Sequence, residues 1–83
     1  MLYSIKKIHF IGIGGIGMSG IAELLKNKGF LVTGSDISDS PNVQRLIDMG
    51  IHIEIGHNEK NISDSELVIY SDAIPKDNPE LQN

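Results

Sequence analysis

The sequence predicts a doubly wound parallel α/β sheet, and three observations carry that expectation. Ile8 to Ile13 is a short β-branched and aromatic run closed by glycine, which reads as a strand buried on both faces. Gly12, Gly14 and Gly17 then form G-x-G-x-x-G, and the turn opens an apolar pattern of helical period. A second strand follows and ends at an acid, Asp36. A glycine turn joining strand to helix, with an acid after the next strand, is the Rossmann-like arrangement, for which a three-layer sheet is expected.

Taken in order, Met18, Ile21, Ala22, Leu24 and Leu25 recur at helical spacing, with Lys26 and Lys28 ahead of Gly29. They predict a helix closed by glycine with basic residues in its last turn. Phe30 to Gly34, ending at Ser35 and Asp36, is the second strand, and the crossover between the two strands should be right-handed. Ser40 and Pro41 supply a cap and a first helical residue, and Val43, Leu46 and Ile47 mark one apolar face ahead of Gly50. Ile51, Ile53 and Ile55 alternate with His52 and Glu54, a half-exposed strand, and Leu67 to Tyr70 is a fourth strand left at a sheet edge. The stretch 56–65 is the one long polar loop. After Pro79, residues 80–83 resemble the first turn of a helix, so the expectation is a piece cut from a longer chain at the C-terminal edge of the sheet.

Composition narrows the function. With 83 residues the chain forms one domain, and 40% hydrophobic with 22% charged residues is a globular balance. A net charge of −4 gives no electrostatic footprint for nucleic acid or an anionic membrane. There is no cysteine, and the three histidines lack zinc-site spacing. The apolar stretch from Ile8 to Leu25 is no signal peptide or membrane span, because five glycines, His9 and Glu23 interrupt it. A cytoplasmic protein is expected.

The chemistry sits on the glycine turn. Gly12 permits the tight turn, Gly14 and Gly15 admit an anion close to the backbone, and Gly17 is expected to let the helix pack closely on the sheet. The first amides of the helix then face the anion. Asp36 is placed to accept from a ribose hydroxyl. His57, beyond the third strand, can donate to a ligand oxygen or stack on a base, whereas His9 reads as a packed, hydrogen-bonded core residue. No G-x-x-x-x-G-K-[ST] loop is present, no lysine or arginine stands in the glycine turn, and the acids at 36, 39, 48, 64 and 66 read as turn and helix-surface residues. The chain is therefore expected to bind a nucleotide without a catalytic centre or metal of its own. The residues alone give a diphosphate-binding nucleotide domain, and they leave open the NAD-binding half of a dehydrogenase and a free-standing nucleotide-binding module.

The run from His9 to Ala22, with Gly34-Ser35-Asp36, Gly56-His57, Ala73-Ile74 and Asn78-Pro79, resembles the N-terminal domain of the Mur ligases of peptidoglycan synthesis, in the branch that adds L-alanine. That resemblance covers nearly the whole chain and implies binding of the UDP part of UDP-N-acetylmuramic acid. It places the diphosphate on Gly14, Gly15, Ile16, Gly17, Met18 and Ser19, and the uridine near Asp36, His57, Ser71, Ala73 and Ile74. It further implies that the parent enzyme uses ATP and magnesium to activate the muramoyl carboxylate for attack by L-alanine, at sites on domains this chain lacks, and so serves cell-wall growth and division. Family members often carry a small hydroxyl residue where this sequence has Asp72, whose carboxylate would repel a diphosphate.

Overall fold

A computed structural model describes residues 6–57, 65–71 and 77–81. The elements are β1 (Lys7–Ile11), α1 (Ile16–Asn27), β2 (Leu31–Asp36), α2 (Pro41–Asp48), β3 (His52–Ile55) and β4 (Leu67–Tyr70). All neighbouring strands pair in parallel in the order β3-β2-β1-β4. β1 is thus interior, and its buried run from Ile8 to Ile11 explains the unbroken apolar sequence. β4 lies at an edge, as expected.

The two faces of the sheet differ in chemistry. Ile8, Phe10, Val32, Ile53, Leu67 and Ile69 join Ile13, Ala22, Leu46 and Ile51 in one apolar core, and α1 and α2 touch each other on that side. Strand alternation sends His9, Thr33 and Ser35 to the opposite face, where His9 Nδ1 lies 2.8 Å from Thr33 Oγ1.

Two boundaries depart from expectation. β1 stops at Ile11 rather than Ile13, because Gly12 takes φ +76° and the amides of Gly12 and Ile13 both donate to Ser35 O, at 2.9 and 3.0 Å. α1 begins at Ile16, one half-turn before the first apolar residue of its pattern. Ile16 is 93% exposed, so it contributes nothing to the buried stripe by which the helix was recognised. The other helix signals hold: Gly29 follows the helix at φ +98°, and Ser40 Oγ accepts from Val43 N at 3.2 Å with Pro41 in the first turn.

α1 also carries Gly20, where an added Cβ would meet nothing within 4 Å. Gly20→Ala should therefore stabilise the chain by about 0.5–1 kcal/mol, the helix-propensity difference with no steric penalty. A urea midpoint unchanged or lowered in that variant would contradict it.

Candidate functional site

The strand order reverses direction between β1 and β4: the chain leaves β1 toward β2, and β4 adds to the other side. Ligand crevices in open parallel sheets form at such a switch point, beyond the carboxyl ends of the strands. A cavity of about 710 Å³ lies there. It is lined by Gly12, Gly14 and Gly15 after β1, by Asp36 to Ser38 and Ser40 after β2, by His57 after β3, by Ser71 after β4 and by Asp77 to Pro79.

The glycine turn is held from three sides. Gly15 N donates to Gly12 O at 3.1 Å. Gly14 N donates to Asp36 Oδ2 at 2.8 Å. Asn42, from the first turn of α2, donates through Nδ2 to Gly14 O at 2.9 Å and to Ser19 Oγ at 2.8 Å. Gly15 is the N-cap of α1 and supplies no side-chain acceptor. The first amide of α1 bonded to a residue ahead of the helix is that of Ser19, which donates to Gly15 O at 2.8 Å. The N–H groups of Ile16, Gly17 and Met18 find no acceptor among the described residues. Three unpaired donors at the positive end of a helix dipole are the kind of arrangement that favours an anion without a nearby cation.

These contacts revise the roles read from spacing. Asp36 lines the crevice, where Oδ2 accepts from Gly14 N and Oδ1 from Ser38 N at 3.1 Å, and each oxygen keeps a further lone pair for another donor. Gly14's amide is thereby spent inside the turn, and its missing Cβ serves packing instead, since a Cβ there would sit 2.7 Å from Val43 Cγ2. Gly17 does not mediate helix–sheet packing, because a Cβ at that position would meet open space. Close approach is made by Gly34, where a Cβ would lie 2.5 Å from Ile13 Cδ1. Ser71 lines the cavity, and Ala73, Ile74 and Asp72 lie outside the described residues.

A second layer sits under the crevice. The tail turns at 77–81, where Glu80 N donates to Asn78 Oδ1 at 2.8 Å and Leu81 N to Asn78 O at 3.0 Å. This turn drives Glu80 inward, to 1% exposure. Its Oε1 lies 2.8 Å from His9 Nε2 and accepts from Ser35 Oγ at 2.7 Å, and its Oε2 lies 3.3 Å from His57 Nδ1. His57 Nδ1 is also 2.8 Å from Ser35 Oγ. His9 is thus the buried, hydrogen-bonded residue expected. Sequence reasoning missed both Glu80 and Asn42. A buried strand histidine demands a partner, which was the available signal for Glu80, whereas no spacing marks Asn42.

Burial holds the His9 imidazole below its ordinary pKa of 6.5; the Glu80 carboxylate opposes this, and His57 and Lys7 add to it. The unfolded chain therefore takes up this proton at higher pH than the folded one. The resulting stability is complete above about pH 6.5 and is lost as pH falls from there toward the folded value. Urea midpoints should fall on acidification through that window, and fall less in His9→Gln. An equal fall in both proteins would exclude His9 as the source.

The fold is that of a doubly wound α/β domain with a crevice at its switch point. The sequence model described as Mur ligase family, catalytic domain, matches residues 7–83, and the chain belongs to the Mur ligase family. It is 56% identical over 77 residues to a UDP-N-acetylmuramate–L-alanine ligase of Sulfurihydrogenibium sp. (strain YO3AOP1), a match covering 93% of this chain and 17% of that protein. The enzyme of the same name from Rhizobium meliloti (strain 1021) is 65% identical over 74 residues, covering 89% of this chain and 16% of that one. Among solved structures, UDP-N-acetylmuramate-alanine ligase MurC from Thermotoga maritima superposes with a TM-score of 0.87 at 43% identity, over 92% of this chain and 18% of that one. The UDP-N-acetylmuramate:L-alanyl-gamma-D-glutamyl-meso-diaminopimelate ligase from Neisseria meningitides gives 0.83 at 27% identity, over 94% of this chain and 25% of that one. The chain thus spans about a sixth of the length of the curated relatives it matches. Among the described residues, no helix is long and apolar enough to cross a membrane.

Proposed function

We propose that residues 1–83 form the UDP-sugar-binding N-terminal domain of a cytoplasmic, ATP-dependent ligase that joins L-alanine to UDP-N-acetylmuramic acid in peptidoglycan precursor synthesis. The observation that carries the reading is the set of orphan amides of Ile16, Gly17 and Met18 opening α1, directly after Gly15 at the rim of the crevice. A diphosphate supplies the anion they lack. Its oxygens are received by the amides of Ile16, Gly17 and Met18, with Gly12, Gly14 and Gly15 shaping the turn and Ser19 closing it. The nucleoside lies along the crevice toward Asp36, His57 and Ser71, with Ala73 and Ile74 assigned to the same end. The names of the relatives in this family support the sugar nucleotide over NAD.

The residues present do not fit an ATP or magnesium site. The sequence has no G-x-x-x-x-G-K-[ST] loop, and no group of three or more metal-binding side chains comes together among the described residues. The proposal therefore assigns ATP, magnesium and L-alanine to the rest of the parent enzyme, and the role of this chain is to bind and orient.

An NMR titration with UDP-N-acetylmuramic acid, UDP and NAD in parallel tests it. Saturable shifts of the amides from Gly15 to Ser19 and of His57 with the uridine ligands, and none with NAD, are expected. A response to NAD alone would overturn the sugar-nucleotide reading.

A further inference from the structure

The buried cluster under the crevice fixes more than packing, and its protons can be counted. An ionised Glu80 carboxylate only accepts hydrogen bonds. The 2.7 Å contact between Ser35 Oγ and Glu80 Oε1 therefore uses the single hydroxyl proton of Ser35. With that proton spent, the 2.8 Å contact between Ser35 Oγ and His57 Nδ1 requires the imidazole to donate. Glu80 Oε2, 3.3 Å from the same nitrogen, favours the same arrangement. His9 is consistent with it: Nε2 donates to Glu80, and Nδ1 accepts from the Thr33 hydroxyl. With Glu80 ionised and Ser35 donating to it, a neutral His57 carries its proton on Nδ1.

The consequence reaches the cavity. His57 lines it, and Nε2 has no partner among the described residues. A neutral imidazole protonated on Nδ1 presents a lone pair at Nε2. We propose that Glu80 is a positioning residue that, through Ser35, locks His57 in the Nδ1–H tautomer, so that Nε2 accepts a hydrogen bond from a hydroxyl or imide N–H of the bound nucleoside. This reverses the donor role that the sequence assigned to His57, and it rests on the nucleotide-binding reading above for its ligand. It also gives the turn at 77–81 a function, because that turn delivers Glu80 to the sheet.

Long-range proton–nitrogen spectra of the histidine rings at mildly alkaline pH read the tautomer directly and require no ligand. The expected result is His57 protonated on Nδ1, and a predominant Nε2–H form would overturn the proposal. Glu80→Gln places an amide donor within reach of Nδ1. It should shift His57 toward the Nε2–H form and weaken UDP binding about five- to tenfold, the size of one neutral hydrogen bond. An unchanged tautomer would sink the positioning role, and an altered tautomer with unchanged affinity would sink the ligand role. Should Glu80→Gln fail to fold, Ser35→Ala removes the nearer acceptor and should also erode the Nδ1–H preference; a preference left intact counts against the network. Comparing UDP with its 2′-deoxy, 3′-deoxy and N3-methyl forms in the unsubstituted chain identifies the donor: the ligand whose affinity drops has lost it, and no drop with any of them contradicts the hydrogen bond. Absence of UDP binding altogether would defeat the nucleotide reading while the ring spectra still judged Glu80 and Ser35.

Discussion

Gly34→Ala is expected to destabilise this chain by about 1–3 kcal/mol, the usual cost of overpacking a filled core. A glycine inside a strand marks close approach, and here the neighbour is Ile13, with Cδ1, Cβ and Cγ2 at 2.5, 2.8 and 2.9 Å from the position of an added Cβ. Ile13 is fully buried and cannot swing into solvent. The strain falls instead on its backbone, which leads directly into Gly14 and the crevice. A chain of this length has about 4–12 kcal/mol of total stability, so the loss is a large fraction of it. Denaturant unfolding with an unchanged m-value is the measurement, and UDP affinity should fall with it because the turn moves. A Gly34→Ala protein as stable as its parent would show that Ile13 has room to yield.

Gly15→Val should do the opposite, leaving the fold and removing the ligand. Gly15 has φ −61° and ψ 149°, ordinary extended backbone for any residue. A Cβ there meets Gly12 O at 3.4 Å and Met18 Cγ at 3.6 Å, contacts the structure can accommodate. The branched side chain would nonetheless stand beside the amides of Ile16 and Gly17 and hold phosphate oxygens away. Loss of one or two charge-assisted hydrogen bonds, each worth about 1.5–3 kcal/mol, corresponds to at least a tenfold drop in UDP affinity. Calorimetry of the folded variant decides the matter: undiminished binding would remove the diphosphate from this turn.

The sequence made the outer frame legible because its signals are local. Ser40 with Pro41, Gly29 after the last helical turn and the unbroken run in β1 each encode a backbone state without reference to distant residues. What stayed hidden depends on pairs brought together by the fold. Gly34 reads as an unremarkable strand residue until Ile13 is laid across it. Asp36 gives no sign in the sequence of tying down the glycine turn until its carboxylate is found bonded to the Gly14 amide. Glu80, beside a proline near the tail, has every mark of a surface residue and is among the most deeply buried. In each case the deciding contact spans more than twenty positions, beyond the reach of periodicity.

The pairing of β1 has a consequence for how the chain acquires its shape. On one side its partners are close in sequence: His9 and Thr33 are 24 residues apart. On the other, Glu66 accepts from the Lys6 and Lys7 amides at 3.0 Å each across 60 and 59 residues, and β4 follows directly. Closing the longer loop costs only about 0.8 kcal/mol more than the shorter one, so equilibrium hardly notices the difference. The order of assembly does, because distant pairings form late. A chain emerging from the ribosome can complete β3-β2-β1 with the first glycine turn before β4 exists, but it waits for Glu80 to close the floor of the crevice. Closure of the crevice floor by Glu80 is thus expected to be a late step in the folding of this chain.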